Sequence, residues 1–114
     1  MTSPIVARLE KLLGTPRDGA LLRYALGMEH FKAGDAQHAI GYLRDALARD
    51  PGYSAAWKLL GKSLAGAGHA PEALEAYRSG IAAARGNGDK QLEKEMSVFA
   101  RRLEKALVLG DPPA

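Results

Sequence analysis

The sequence predicts an all-α fold, an α-solenoid of about six helices stacked as antiparallel pairs, and three observations predict it. Apolar residues recur at helical spacing in segment after segment. Ala and Leu are prominent, β-branched residues are few, and aromatics make up only 6% of the 114 residues, a composition that favours helix over sheet. The third observation is internal similarity. Residues 20–51 lie over residues 54–85 without a gap, a period of 34 residues of the kind that stacked repeats show.

Each helix has its own start and stop. Ser3 followed by Pro4 opens the first, over residues 4–13, because a serine oxygen accepts an orphan amide and proline is pre-set for the first turn. Ile5, Val6, Leu9, Leu12 and Leu13 form its apolar face, and Gly14 and Pro16 stop it. Asp18 is the expected cap of the second helix, which carries Leu22, Leu26, Gly27 and Phe31 and ends at Ala33-Gly34. Asp35 caps the third, with Ala39, Leu43, Ala46 and Leu47 inward, up to the Asp50-Pro51-Gly52 turn.

The fourth helix starts at Tyr53 or Ser54, turns Trp57, Leu60, Gly61 and Leu64 inward, and closes at Gly68. Pro71 opens the fifth, with Ala73, Leu74, Tyr77 and Ile81 inward and a strong turn signal at Arg85-Gly86-Asn87-Gly88. Asp89 caps the sixth, over residues 89–108, with Leu92, Met96, Phe99, Leu103 and Leu107 inward. Residues 1–110 then form one domain, with repeats over 20–53 and 54–87, and residues 111–114 are expected to be a disordered tail.

The repeat is positional. Leu26-Gly27 falls on Leu60-Gly61, Ala33-Gly34 on Ala67-Gly68, and Ala39 on Ala73. Trp57-x2-Leu60-Gly61-x2-Leu64 followed by Ala73-x3-Tyr77, and Leu26-Gly27 followed by Ala39-x3-Leu43 and Pro51, resemble the tetratricopeptide repeat family, whose unit reads W-x2-L-G-x2-Y, A-x3-F, P. Arg23 and His30 depart from the family's tryptophan and tyrosine, and Arg85 from its proline. A glycine inside a helix costs about 1 kcal/mol against alanine, so Gly27 and Gly61 imply a close approach of paired helices, with Ala39 and Ala73 opposite. The first helix lies over the second half of a repeat. The sixth lies over the first half, with Met96, Phe99, Ala100 and Leu103 on Trp57, Leu60, Gly61 and Leu64 after a longer loop.

Chemical motifs are weak by comparison. Gly61-Lys62-Ser63 suggests a phosphate loop, but Ala56 stands where the motif needs its first glycine and the segment lies inside a helix; Ser63 is read as an outward position. With no cysteine, and with His30, His38 and His69 lacking an i, i+4 spacing, no metal or cofactor is expected and the histidines read as solvated or partly packed. No serine or carboxylate pair has the neighbours of a catalytic constellation, so the chain reads as a non-enzyme. The net charge of +3 is mild and interleaved with acids. Arg101, Arg102 and Lys105 form the one basic cluster that would suit nucleic acid, without specificity.

The family resemblance implies a protein-interaction module with a concave groove lined by the first helix of each pair. The register places Tyr24, Met28 and Phe31 at an apolar end and Lys58, Lys62, Lys94 and Arg101 along a basic stretch, which suits a short acidic peptide or chain terminus with apolar anchors. The clamp with which some relatives hold chaperone tails does not fit, since Tyr24, Met28, Leu59, Lys94 and Val98 occupy its positions and only Lys94 matches. The alternative is a homo-oligomer stacked through the end helices, by way of Val98 or Val108. The N-terminus lacks the pattern of a secretory signal and no stretch has the length of a membrane span, so a cytoplasmic location is expected.

Overall fold

Six helices follow one another in the computed structural model, which describes residues 3–110: α1 (Pro4–Glu10), α2 (Ala20–Lys32), α3 (Ala36–Arg49), α4 (Ser54–Gly66), α5 (Ala70–Asn87) and α6 (Lys90–Leu109). The expected tail, residues 111–114, lies outside the described residues. Capping side chains set three of the six starts. Ser3 Oγ accepts from the Val6 amide at 3.1 Å, and the carboxylates of Asp35 and Asp89 accept from His38 N at 3.2 Å and Leu92 N at 3.0 Å. Gly34, Gly68, Gly88 and Gly110 follow α2, α4, α5 and α6 at φ between 73° and 84°, the left-handed region that only glycine enters without strain.

The starts of α2 and α4 and of α3 and α5 repeat the period in the sequence, Ala20 against Ser54 and Ala36 against Ala70. Neighbours in the chain pack in order, each helix on the next. Beyond that, α2 touches α4 and α4 touches α6, whereas the backbones of α3 and α5 stay apart. The first helices of the pairs therefore converge and the second helices splay. That asymmetry curves the stack, with α2, α4 and α6 on the inner side, in a flattened body of 45 × 34 × 19 Å.

Two boundaries differ from expectation. The first helix stops at Glu10, and residues 11–14 form turns, although Leu12 and Leu13 still pack with Val6, Leu22 and Leu26. α5 continues through the Arg85-Gly86-Asn87 turn signal to Gly88, so the extra residues before α6 lengthen a helix and not a loop. Asn87 Nδ2 donates to Gly52 O at 2.8 Å, which ties the end of α5 to the α3–α4 turn.

Asp18 does not cap α2, whose N-cap is Gly19. Its carboxylate instead accepts from Gly14 N at 2.9 Å and from Arg23 Nε and Nη2 at 3.0 and 2.9 Å, while Arg23 Nη1 reaches Asp45 on α3 at 3.1 Å. Arg23 stands where the second repeat has Trp57, whose indole donates to Pro51 O at 2.8 Å. One repeat is braced by a forked ion pair and the other by an aromatic. The paired Arg23, then the Gly14 amide, hold the Asp18 carboxyl well below the usual carboxylate range.

The glycine expectation is confirmed with different partners. A Cβ on Gly61 would lie 2.5 Å from Tyr77 Cε1, and one on Gly27 would lie 2.7 Å from Leu43 Cγ. Ala39 and Ala73 are fully buried beside these crossings, but the side chains one turn further along cover the glycines. Gly80 on α5 is a third such contact, against Trp57 Cβ at 2.7 Å and the Met96 sulfur. Ser63 is not outward. It is 1% exposed and its hydroxyl donates to Leu59 O at 2.9 Å, inside the main core formed by α3 to α6.

Gly61→Ala gains helix propensity yet destabilises by about 1–3 kcal/mol in urea unfolding, because the new methyl collides with Tyr77. Gly41→Ala, in α3 with nothing within 4 Å of its Cβ position, stabilises by up to about 1 kcal/mol in the same assay. The depressed Asp18 stabilises the fold above the carboxylate's unfolded pKa, and that contribution is lost as the pH falls toward its folded value. Acid unfolding of Asp18→Asn is therefore shallower than that of wild type, and an equally steep acid limb would show that the Arg23 pair is energetically idle.

Candidate functional site

The inner side of the stack is built from α2, α4 and α6, and every groove residue expected from the register lies on one of these three helices. At the α2 end, Tyr24 stacks on Tyr53 with ring centroids 4.9 Å apart and planes tilted by 31°. Met28 and Phe31 are half-buried and packed against the main core. Their burial makes them a floor more than a set of reaching anchors. Tyr53, which sequence reasoning treated only as the start of α4, is the partner that fixes Tyr24; burial, then the neighbouring Tyr24, raises its phenol pKa.

The basic stretch is divided among different environments. Lys58 Nζ lies 2.7 Å from Glu95 Oε1, an ion pair from α4 to α6, and this hydrogen bond lowers the Glu95 pKa. Lys62 Nζ lies 5.6 Å from the centroid of the Phe99 ring, which itself stacks on Tyr77 at 5.4 Å. Lys94 and Arg101 are exposed, two helical turns apart on α6, and line one open depression with Lys90, Ser97, Val98 and the carboxylates of Glu93 and Glu95, which are paired with Arg85 and Lys58. Positive charge available to a partner is therefore concentrated on Lys62 and the α6 residues, with Lys58 already committed.

The phosphate-loop letters resolve into packing. Gly61 lies in the middle of α4 under the Tyr77 ring, and the Ser63 hydroxyl is bonded to its own helix, so neither faces a helix N-terminus where a phosphate would be held. The histidines, expected to be solvated or partly packed, are so, and two of them also meet. Across the turn between α2 and α3, His30 Nδ1 lies 3.6 Å and His38 Nδ1 2.6 Å from Asp35 Oδ2. The His30 ring stacks between His38 and Tyr42, with centroids 5.1 and 5.4 Å away. A rule based on i, i+4 pairs passes over this H-x4-D-x2-H arrangement because the chain reverses between its members. His69, in the turn before α5 near Glu72, lines a depression with His38 but is not a member of the cluster.

No helix among the described residues is long and apolar enough to cross a membrane.

Comparison with known proteins agrees with the helix pairs. A tetratricopeptide repeat family model matches residues 30–91. A TPR repeat-containing protein of Pseudomonas aeruginosa is 47% identical over 102 residues, which cover 90% of this chain and 97% of that protein. Among solved structures, a Bordetella parapertussis protein determined in solution is 46% identical with a TM-score of 0.78, over 94% of each chain. A tetratricopeptide repeat domain protein of Salinibacter ruber is 27% identical with a TM-score of 0.72, over 77% of this chain and 98% of that one. With the paired helices, the glycine crossings and these likenesses together, the chain belongs to the tetratricopeptide repeat family, a non-catalytic fold that mediates protein–protein interaction.

Proposed function

We propose that the inner side of the stack holds a segment of a partner protein, an acidic peptide with one or two apolar residues. What supports this reading is that Lys62, Lys94 and Arg101 lie on α4 and α6, which pack on each other, while Tyr24, Met28 and Phe31 lie on α2, which packs on α4. A carboxylate-bearing segment would meet the α6 cations, while an apolar side chain would rest on the half-buried Tyr24, Met28 and Phe31 surface. Lys58 contributes through its pair with Glu95, which holds α6 against α4, more than through direct contact.

A second reading rests on the end of α6, where Val108 is 85% exposed and Leu107 and Leu109 are exposed beside it. Three adjacent apolar side chains in solvent favour association of copies through that end. The two readings separate experimentally. In a peptide-display selection, the wild-type chain enriches Asp- and Glu-containing sequences, and Lys94→Glu with Arg101→Glu weakens the winners by about tenfold or more. Enrichment without acidic residues, or binding indifferent to the double reversal, would remove the basic-groove proposal. Sedimentation velocity across a concentration series reports the second: a dimer dispersed by Val108→Glu supports stacking, and a monomer at every concentration rejects it.

A further inference from the structure

We infer that His30, Asp35 and His38 form a binding site for a late divalent transition ion, Zn2+ foremost, at the turn between α2 and α3. One ligand atom from each residue lies within 4.8 Å of the others, and the three come from the end of one helix, the cap of the next and its first turn. Two imidazoles and a carboxylate are a donor set suited to Zn2+.

The local structure orients these donors before any ion arrives. Asp35 uses Oδ1 to cap α3 through the His38 amide at 3.2 Å, which leaves Oδ2 facing both imidazoles. That capping bond is the kind of outer contact that holds a ligating carboxylate in place. His30 is fixed by stacking against Tyr42, with its side chain 15% exposed and its Nε2 buried without a partner. With Nε2 sealed off, Nδ1 is the nitrogen through which His30 meets anything entering from solvent. His38 is 68% exposed and closes the site from outside, so an ion has an open route and positions left for water.

The rearrangement falls mainly on His38. Ligands about 2.0–2.1 Å from a tetrahedral ion stand roughly 3.3 Å apart, so the present 2.6 Å contact of His38 with Asp35 has to open by under an ångström. An exposed side chain does this by a small rotation. Metallation at Nδ1 places the proton of His30 on the buried Nε2, where it has no acceptor, which costs about tenfold or more in affinity.

The test is calorimetric titration of the untagged full chain with ZnCl2 near neutral pH, with backbone NMR shifts to locate the ion and circular dichroism to confirm folding. His38→Ala keeps the amide that Asp35 caps, and Asp35→Asn keeps an oxygen for the cap, so both variants retain the fold. Wild type is expected to bind one equivalent with shifts centred on residues 30–38. Each of those substitutions weakens binding at least about tenfold, and His69→Ala leaves it unchanged. Absence of saturable binding, indifference to either His38→Ala or Asp35→Asn, or equal weakening by His69→Ala overturns the assignment.

Discussion

The close approach of α4 to α5 at Gly61 is the constraint on which the rest of the structure depends. Only the missing Cβ leaves room for the Tyr77 ring, and only the seated ring offers its other face to Phe99 on α6. Phe99 in turn lies beneath Lys62, back on α4. One absent methyl thus governs the spacing of three helices and the position of the Lys62 ammonium. Gly80 extends the same logic, because the Trp57 and Met96 side chains fill the space its Cβ would occupy and bring α6 against the hairpin. The propensity lost at these helix-interior glycines, about 1 kcal/mol each, is offset by contacts that no larger residue permits.

Electrostatics is arranged around this apolar frame and not within it. The forked Arg23 pair joins the α1–α2 loop, α2 and α3, and Lys58–Glu95 joins α4 to α6, so both join elements that packing already brings together. Apart from the Arg23–Asp18 pair, whose side chains are 17% and 12% exposed, such pairs contribute little to stability on their own. Their consequence here is distribution: they remove Lys58 from the available charge and leave the outward positive potential on α6.

Much of the fold was legible because helical periodicity and the small-residue register are properties of single segments. Caps at Ser3, Asp35 and Asp89 lie next to the amides they serve, and all three were readable. What escaped depends on direction and on distant neighbours. Helical side chains lean toward the N-terminus, so Gly27 and Gly61 are covered by Leu43 and Tyr77, one turn beyond the alanines that the register suggested. Ser63 hides its hydroxyl on its own helix, and a polar letter therefore reads as outward when it is core. The weak helix formers Gly86 and Asn87 stay helical because Asn87 reaches Gly52, a tertiary contact with no local trace. Of the groove, the helix register was readable, but the engagement of Lys58 by Glu95 and of Tyr24 by Tyr53 required the folded chain. The histidine cluster required the reversal of the chain at Gly34.

The division of the core gives the molecule a direction. Val6, Leu22 and Leu26 form a small cluster with Leu9, Leu12, Leu13 and Tyr42, separate from the main core that α3 to α6 share. α1 packs on α2, and its end is tied to α3 by a bond from Tyr42 to Glu10 at 3.2 Å. Detaching so short a helix disrupts few buried contacts, so its amides exchange through local fraying while those of α4 and α5 wait for global unfolding. Pulled from its two ends, the chain would peel first from the N-terminal side, uncovering Leu22 and Leu26 while the glycine crossing of the second repeat was still closed.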